Sequence, residues 1–145
     1  MTLDRPRPFH LTLMGLLALL WYLVLALDYL VLRYERIAEL PMLSELFSGV
    51  LEEMPLWASI ASGVSVWVGL LAAVLLLLRD RAAVLGFVIA FVGAAVAGGW
   101  GLVAAVDGPP GLLGVDGVTF LIAKLAAAFV LWVYARRLKQ LGSLG

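Results

Sequence analysis

The chain contains no cysteine and a single histidine, His10. Without cysteine there is no disulfide framework, thiolate metal site or thiol redox pair. A lone histidine leaves a haem bridge or transition-metal site almost nothing to be built from. Neither a metal nor a cofactor is expected, and His10 reads as an interfacial residue. Charge is scarce as well: 14% of residues are charged, and ten Lys plus Arg balance ten Asp plus Glu. No basic cluster is dense enough for polynucleotide, so nucleic acid is excluded as a partner. Phosphate-loop and dinucleotide fingerprints are missing, and no serine, histidine and carboxylate share one plausible depth. An enzyme is not expected.

What is abundant is apolar surface. Hydrophobic residues make up 64% of the 145 residues, and the mean hydropathy is +1.09, far above a soluble domain's. The composition places the chain in the lipid bilayer. A spanning helix takes about 20 residues, so the length suits one integral membrane domain over 1–145 and no separate soluble domain. The expected fold is an all-α bundle of four transmembrane helices, spanning about 11–32, 55–78, 82–106 and 118–135. Arg5 and Arg7 before an apolar run imitate a secretory signal, but no small-x-small cleavage site follows, so a retained helix is expected.

Between the first two spans, Leu43, Leu46, Phe47, Val50, Leu51 and Met54 recur at spacings of three and four, opposite Ser44, Glu45, Ser48, Glu52 and Glu53. That pattern predicts a short amphipathic interfacial helix over 42–54, started at Pro41. Arg79-Asp80-Arg81 reads as a tight turn, Asp107–Gly117 as a Gly/Pro loop, and the tail to Gly145 as frayed. Arg5, Arg7, Arg79, Arg81, Arg136, Arg137 and Lys139 fall on one side, against Arg33 and Arg36 on the other, which predicts cytoplasmic termini in an inner membrane. The opposite face collects Glu35, Glu39, Glu45, Glu52, Glu53, Asp107 and Asp116. This acidic rim reads first as a solvated surface, with attraction of cations or a basic partner as the alternative.

Small residues stripe the middle helices. Ala58, Ser62, Ser65, Gly69 and Ala73 line one face of the second span. The third carries Gly86, Ala90, Ala94 and Gly98, and beside them Gly93, Ala97, Gly101 and Ala105. In lipid, such stripes let backbones approach, so these two helices are the expected central pair, with one stripe of the third available to an oligomer. Gly98, Gly99 and Gly101 around Trp100 weaken that helix near its outer end, where a bend is admissible.

Two opposite charges interrupt the apolar spans: Asp28 in the first and Lys124 in the last. Counted from the span ends, both lie roughly 6 to 10 Å below the outer boundary, so they are candidates for an intramembrane pair. The competing reading is that each snorkels to the interface separately. A pair would more readily lock the bundle than perform chemistry. Trp21 shares the stripe of Asp28, and Trp21, Tyr29 and Phe120 are candidate linings of a pocket at that level, with plain packing as the alternative. Trp57, Trp100, Tyr29 and Tyr34 suit an outer aromatic belt, Trp132 and Tyr134 an inner one.

In order, Phe9-His10-Leu11-Thr12, Leu27-Asp28-Tyr29-Leu30, Met54-Pro55-Leu56-Trp57-Ala58, Leu75 to Arg81 and Tyr134-Ala135-Arg136-Arg137-Leu138 resemble an uncharacterised family of small four-helix bacterial inner-membrane proteins. Some members carry a "sugar transporter" label. The Gly98-Gly99-Trp100-Gly101 stretch and the loop after it depart from that pattern. Two functions are expected from these residues. The first is a structural or accessory membrane protein packing against partner helices, or against copies of itself. The alternative is a small-solute or proton-coupled transporter using Asp28 and Lys124, although the two halves show no internal repeat.

Overall fold

The computed structural model describes residues 9–34, 54–107 and 115–145. They form four helices: α1 (Phe9–Tyr34), α2 (Leu56–Leu77), α3 (Ala82–Asp107) and α4 (Val115–Gln140). Each contains a stretch long and apolar enough to cross a membrane: Phe9–Leu30, Leu56–Leu77, Ala82–Ala104 and Val118–Gln140. At 1.5 Å per residue, the 22 residues of the first stretch rise about 33 Å, close to the thickness of the hydrocarbon layer. No proline interrupts a described helix. Pro55 precedes α2 in an extended conformation, and its carbonyl accepts bonds from the Ala58 and Ser59 amides. Gly98, Gly99 and Gly101 do not break α3, because its helical assignment runs through them to Asp107. Helix α4 extends beyond the expected span at both ends, so Val115–Gly117 belong to helix rather than to the loop. The expected helix over 42–53 lies outside the described residues, and Met54 is not helical.

Helices α2 and α3 make the broadest contact, flanked by α1 against α2 and α4 against α3. Their seam is built from residues with almost no side chain. A methyl group on Gly86 would stand 2.7 Å from Cβ of Ala72, and one on Gly93 would stand 2.7 Å from the Ala61 carbonyl oxygen. Ser65, 1% exposed, donates its hydroxyl to the Ala90 carbonyl at 2.7 Å. Such an interhelical bond is worth about 0.6 kcal/mol in a membrane. The α1–α2 seam works differently, with aromatic rings laid into glycine notches. The Tyr22 ring occupies the space a Gly69 side chain would need, and the Tyr29 hydroxyl lies 2.8 Å from where Cβ would stand on Gly63.

The buried core gathers Leu11, Ala18, Tyr22 and Leu25 with Leu76, Phe87, Leu131, Ala135 and Leu138. It is heaviest towards the end holding the α2–α3 turn. In α4, by contrast, no residue from Val118 to Ala127 is fully buried. This helix is anchored by its second half.

The tail is not frayed, contrary to expectation. Gly142 takes a positive φ of 69° while Ser143 donates to the Leu138 carbonyl and Gly142 to that of Lys139, the paired bonds of a Schellman ending. Helix α2 ends in the same way, with Arg79 at φ 62°, Asp80 bonded to Leu75 and Arg79 to Leu76. The two endings lock together. Gly145 donates to the Arg79 carbonyl at 2.7 Å and accepts from the Arg81 amide at 3.3 Å. Arg79 Nε reaches the Ser143 carbonyl at 3.1 Å and Arg81 Nε that of Leu144 at 3.4 Å, while Leu144 is buried at 1% exposure. Asp80 then starts α3 by accepting the Ala82 amide at 2.7 Å.

Candidate functional site

Helix α1 meets α4 through His10 and Tyr134. His10, Trp21 and Asp28 fall within about 20° of one another on a helical projection. At the inner end of the stripe, His10 Nδ1 and the Tyr134 hydroxyl are 2.8 Å apart with their rings edge to face. That contact fixes the register of α1 against α4. Along straight antiparallel helices, the eighteen-residue step from His10 to Asp28 rises about 27 Å and faces α4 near residue 116, some 12 Å from the level of the Lys124 backbone. On that ideal-helix count the two backbone levels show a stagger.

Side-chain direction narrows that stagger. Cα–Cβ bonds tilt towards a helix's N-terminus, so the Lys124 side chain leans towards the level of Asp28, and Asp28 leans back towards Lys124. The two charges come within electrostatic range of each other. They do not form a direct hydrogen bond, and the Asp28 carboxylate oxygen Oδ1 is shut from solvent without a partner. Two further polar atoms are buried without partners on the same helix, Trp21 Nε1 and the hydroxyl of Tyr22. Buried polar atoms are satisfied in the great majority of structures, so these three, spread over two turns of α1, are exceptions.

The three residues expected to line a pocket, Trp21, Tyr29 and Phe120, are each partly buried and pack against the core, with the Tyr29 hydroxyl close to Gly63 of α2. Among the expected packing residues, Ser65, Gly69, Gly86, Ala90 and Gly93 stand at helix contacts. Gly101 meets Leu121 of α4, Ala97 is buried and Ser62 is only partly buried. Two features were not singled out in the sequence. Tyr22, 1% exposed, leans on Phe87 with ring centres 6.3 Å apart, and its only sequence signal is a facing glycine on another helix. Trp132 stacks on Phe91 at 5.9 Å instead of serving only an interfacial belt. No group of three or more His, Asp or Glu that could hold a metal occurs among the described residues.

In comparisons with protein families, curated proteins and solved structures, nothing matches this chain.

Proposed function

We propose that the chain is a structural or accessory membrane protein, a four-helix bundle that seats against partner helices in a bacterial inner-membrane assembly. The observation that supports this reading most is the outward face of α3. Leu85, Ile89, Val92, Val96 and Val103 form an exposed ridge there. In that region Gly98 and Gly99 have no described atom within 4 Å of where a Cβ would stand. A ridge interrupted by bare backbone is the shape another transmembrane helix packs into.

The orientation we assign puts the α2–α3 turn, the tail and the His10 end of α1 in the cytoplasm. The tail's bonds to Arg79 and Arg81 hold turn and tail at one end, and that end carries Arg79, Arg81, Arg136, Arg137 and Lys139, the charge bias of a cytoplasmic face. The resemblance to small four-helix inner-membrane proteins points the same way.

The test is purification from the native membrane in mild detergent, with a photo-crosslinking residue at position 99 and, as control, at Leu78. Partner polypeptides captured from position 99 and not from Leu78 support the reading. Crosslinks to lipid alone from both positions overturn it.

The unpaired Asp28 and Lys124 favour a second reading, a small-solute or proton-coupled transporter. An acid on α1 and a base in the loosely buried half of α4, with no hydrogen bond between them, suit a hydrated step better than a lock. Proton or solute flux into vesicles carrying the purified chain, lost on Asp28→Asn, would establish it.

A further inference from the structure

The membrane-facing side of α4 carries a groove of about 260 Å³ lined by Phe129, Val130, Val133, Tyr134 and Arg137. Its walls are braced from behind. Phe129 packs on Phe91 at 5.7 Å and edge to face on Trp132 at 5.8 Å. The Tyr134 ring is held by the bond of its hydroxyl to His10. Phe129 and Val130 are nonetheless exposed, so the groove is open sideways while its aromatic walls are fixed. From Phe129 to Arg137 it runs two turns of helix, about 12 Å, most of the roughly 15 Å of hydrocarbon in one leaflet.

Arg137 closes this groove at the end where α4 leaves the membrane. Its side chain is exposed and makes no ion pair or hydrogen bond with a described acidic residue. The exposed Arg136 and Lys139 flank it. At the same end, Arg79 and Arg81 each use Nε on a tail carbonyl, leaving their terminal nitrogens to add positive potential. A rigid apolar slot parallel to the bilayer normal, ending in a guanidinium at headgroup depth, is complementary to one kind of molecule.

We propose that this groove is a binding site for an anionic phospholipid, with one acyl chain laid along Phe129, Val130 and Val133 and the phosphate held by Arg137. The guanidinium fork matches two phosphate oxygens, which an ammonium cannot do. The apolar slot supplies contact area, and Arg137 supplies the choice of headgroup. Arg136, about 100° away around the helix, contributes only general potential.

Native mass spectrometry of the full chain in mild detergent tests this, titrating dioleoyl phosphatidylglycerol against dioleoyl phosphatidylcholine. A basic residue near the membrane surface implies about a five-fold preference for the anionic lipid. Arg137→Gln should erase the preference, whereas Arg136→Gln should keep most of it. Val133→Trp, which fills the slot and leaves Arg137 intact, should lower retention of both lipids. Equal retention of the two lipids by the unaltered chain overturns the proposal. So does an equal loss in both arginine variants, which would mean diffuse attraction, or undiminished binding in Val133→Trp, which would mean headgroup contact alone. A second copy of the chain in the groove would appear as a dimer that neither lipid displaces, and that too would overturn it.

Discussion

Arg79 holds a left-handed backbone, φ 62°, and its carbonyl accepts a 2.7 Å bond from the amide of Gly145. A side chain in that conformation costs about 1 kcal/mol, and at the matching position of α4 the sequence supplies glycine instead. The strained residue is one of the two that the tail bonds to, through both its carbonyl and its Nε. Replacing it with glycine should therefore be nearly neutral, because relief of the backbone offsets loss of the Nε bond. Leu144→Ala should cost about 2 kcal/mol, since it empties a buried site, and Gly142→Ala about 1 kcal/mol, since it forces a methyl into positive φ. Unfolding in detergent measures all three. A Leu144→Ala protein as stable as the parent would show that the docked tail contributes nothing.

The glycines of α3 should separate into two classes. Gly93→Ala drives a methyl against the Ala61 carbonyl oxygen, which is backbone and cannot move alone. Overpacking of this kind costs about 1–3 kcal/mol. Gly99→Ala meets no described atom and should be stabilising by up to about 1 kcal/mol through helix propensity. In a partner assembly the order reverses for function, because Gly99→Leu would leave the isolated bundle intact and block docking. Thermal melts of the purified variants decide the first contrast, and co-purification decides the second.

Sequence patterning was enough to read the four helices and the small-residue seam between the middle two. In a membrane the period and length of apolar runs are set by the bilayer, and close helix contact by the absence of side chain, and both are visible in single letters. The register of Asp28 against Lys124 was not legible. Depth counted from span ends ignores register, which is set at the other end of the bundle by His10 and Tyr134. The docked tail was missed for a related reason: Gly142 signals a helix ending, but nothing in Ser143-Leu144-Gly145 announces which carbonyls and amides it will find on another turn. Tyr22 looked like any apolar filler until Gly69 was placed opposite.

The Tyr22 hydroxyl offers a direct probe of the interior. It is buried and has no partner, and stranding a hydroxyl costs about 1–3 kcal/mol. Tyr22→Phe should therefore stabilise the bundle by about 1 kcal/mol, while Tyr22→Ala, which empties the notch over Gly69, should cost about 3 kcal/mol or more. A stability cycle with both variants distinguishes packing from polarity. If Tyr22→Phe weakens the protein instead, a water or solute satisfies the hydroxyl, and the transporter reading gains the support that the accessory reading loses.

Asp28 and Lys124 act on each other across a gap, and the size of their coupling follows from that gap. Breaking a buried pair in direct contact costs about 3–5 kcal/mol, because the remaining charge is stranded. Here no bond is lost, so Asp28→Asn and Lys124→Met should each destabilise the bundle by less, with a coupling energy of about 1 kcal/mol in the double-mutant cycle. The double variant should be more stable than the sum of the single effects implies, since both charges leave together. The cycle is measured by thermal unfolding in detergent. Strict additivity would mean that each charge is solvated on its own, and a coupling as large as that of a contact pair would mean that the gap closes in the membrane. Between those limits, the coupling is the Coulombic attraction of carboxylate and ammonium through a low-dielectric interior, which needs no bond between them.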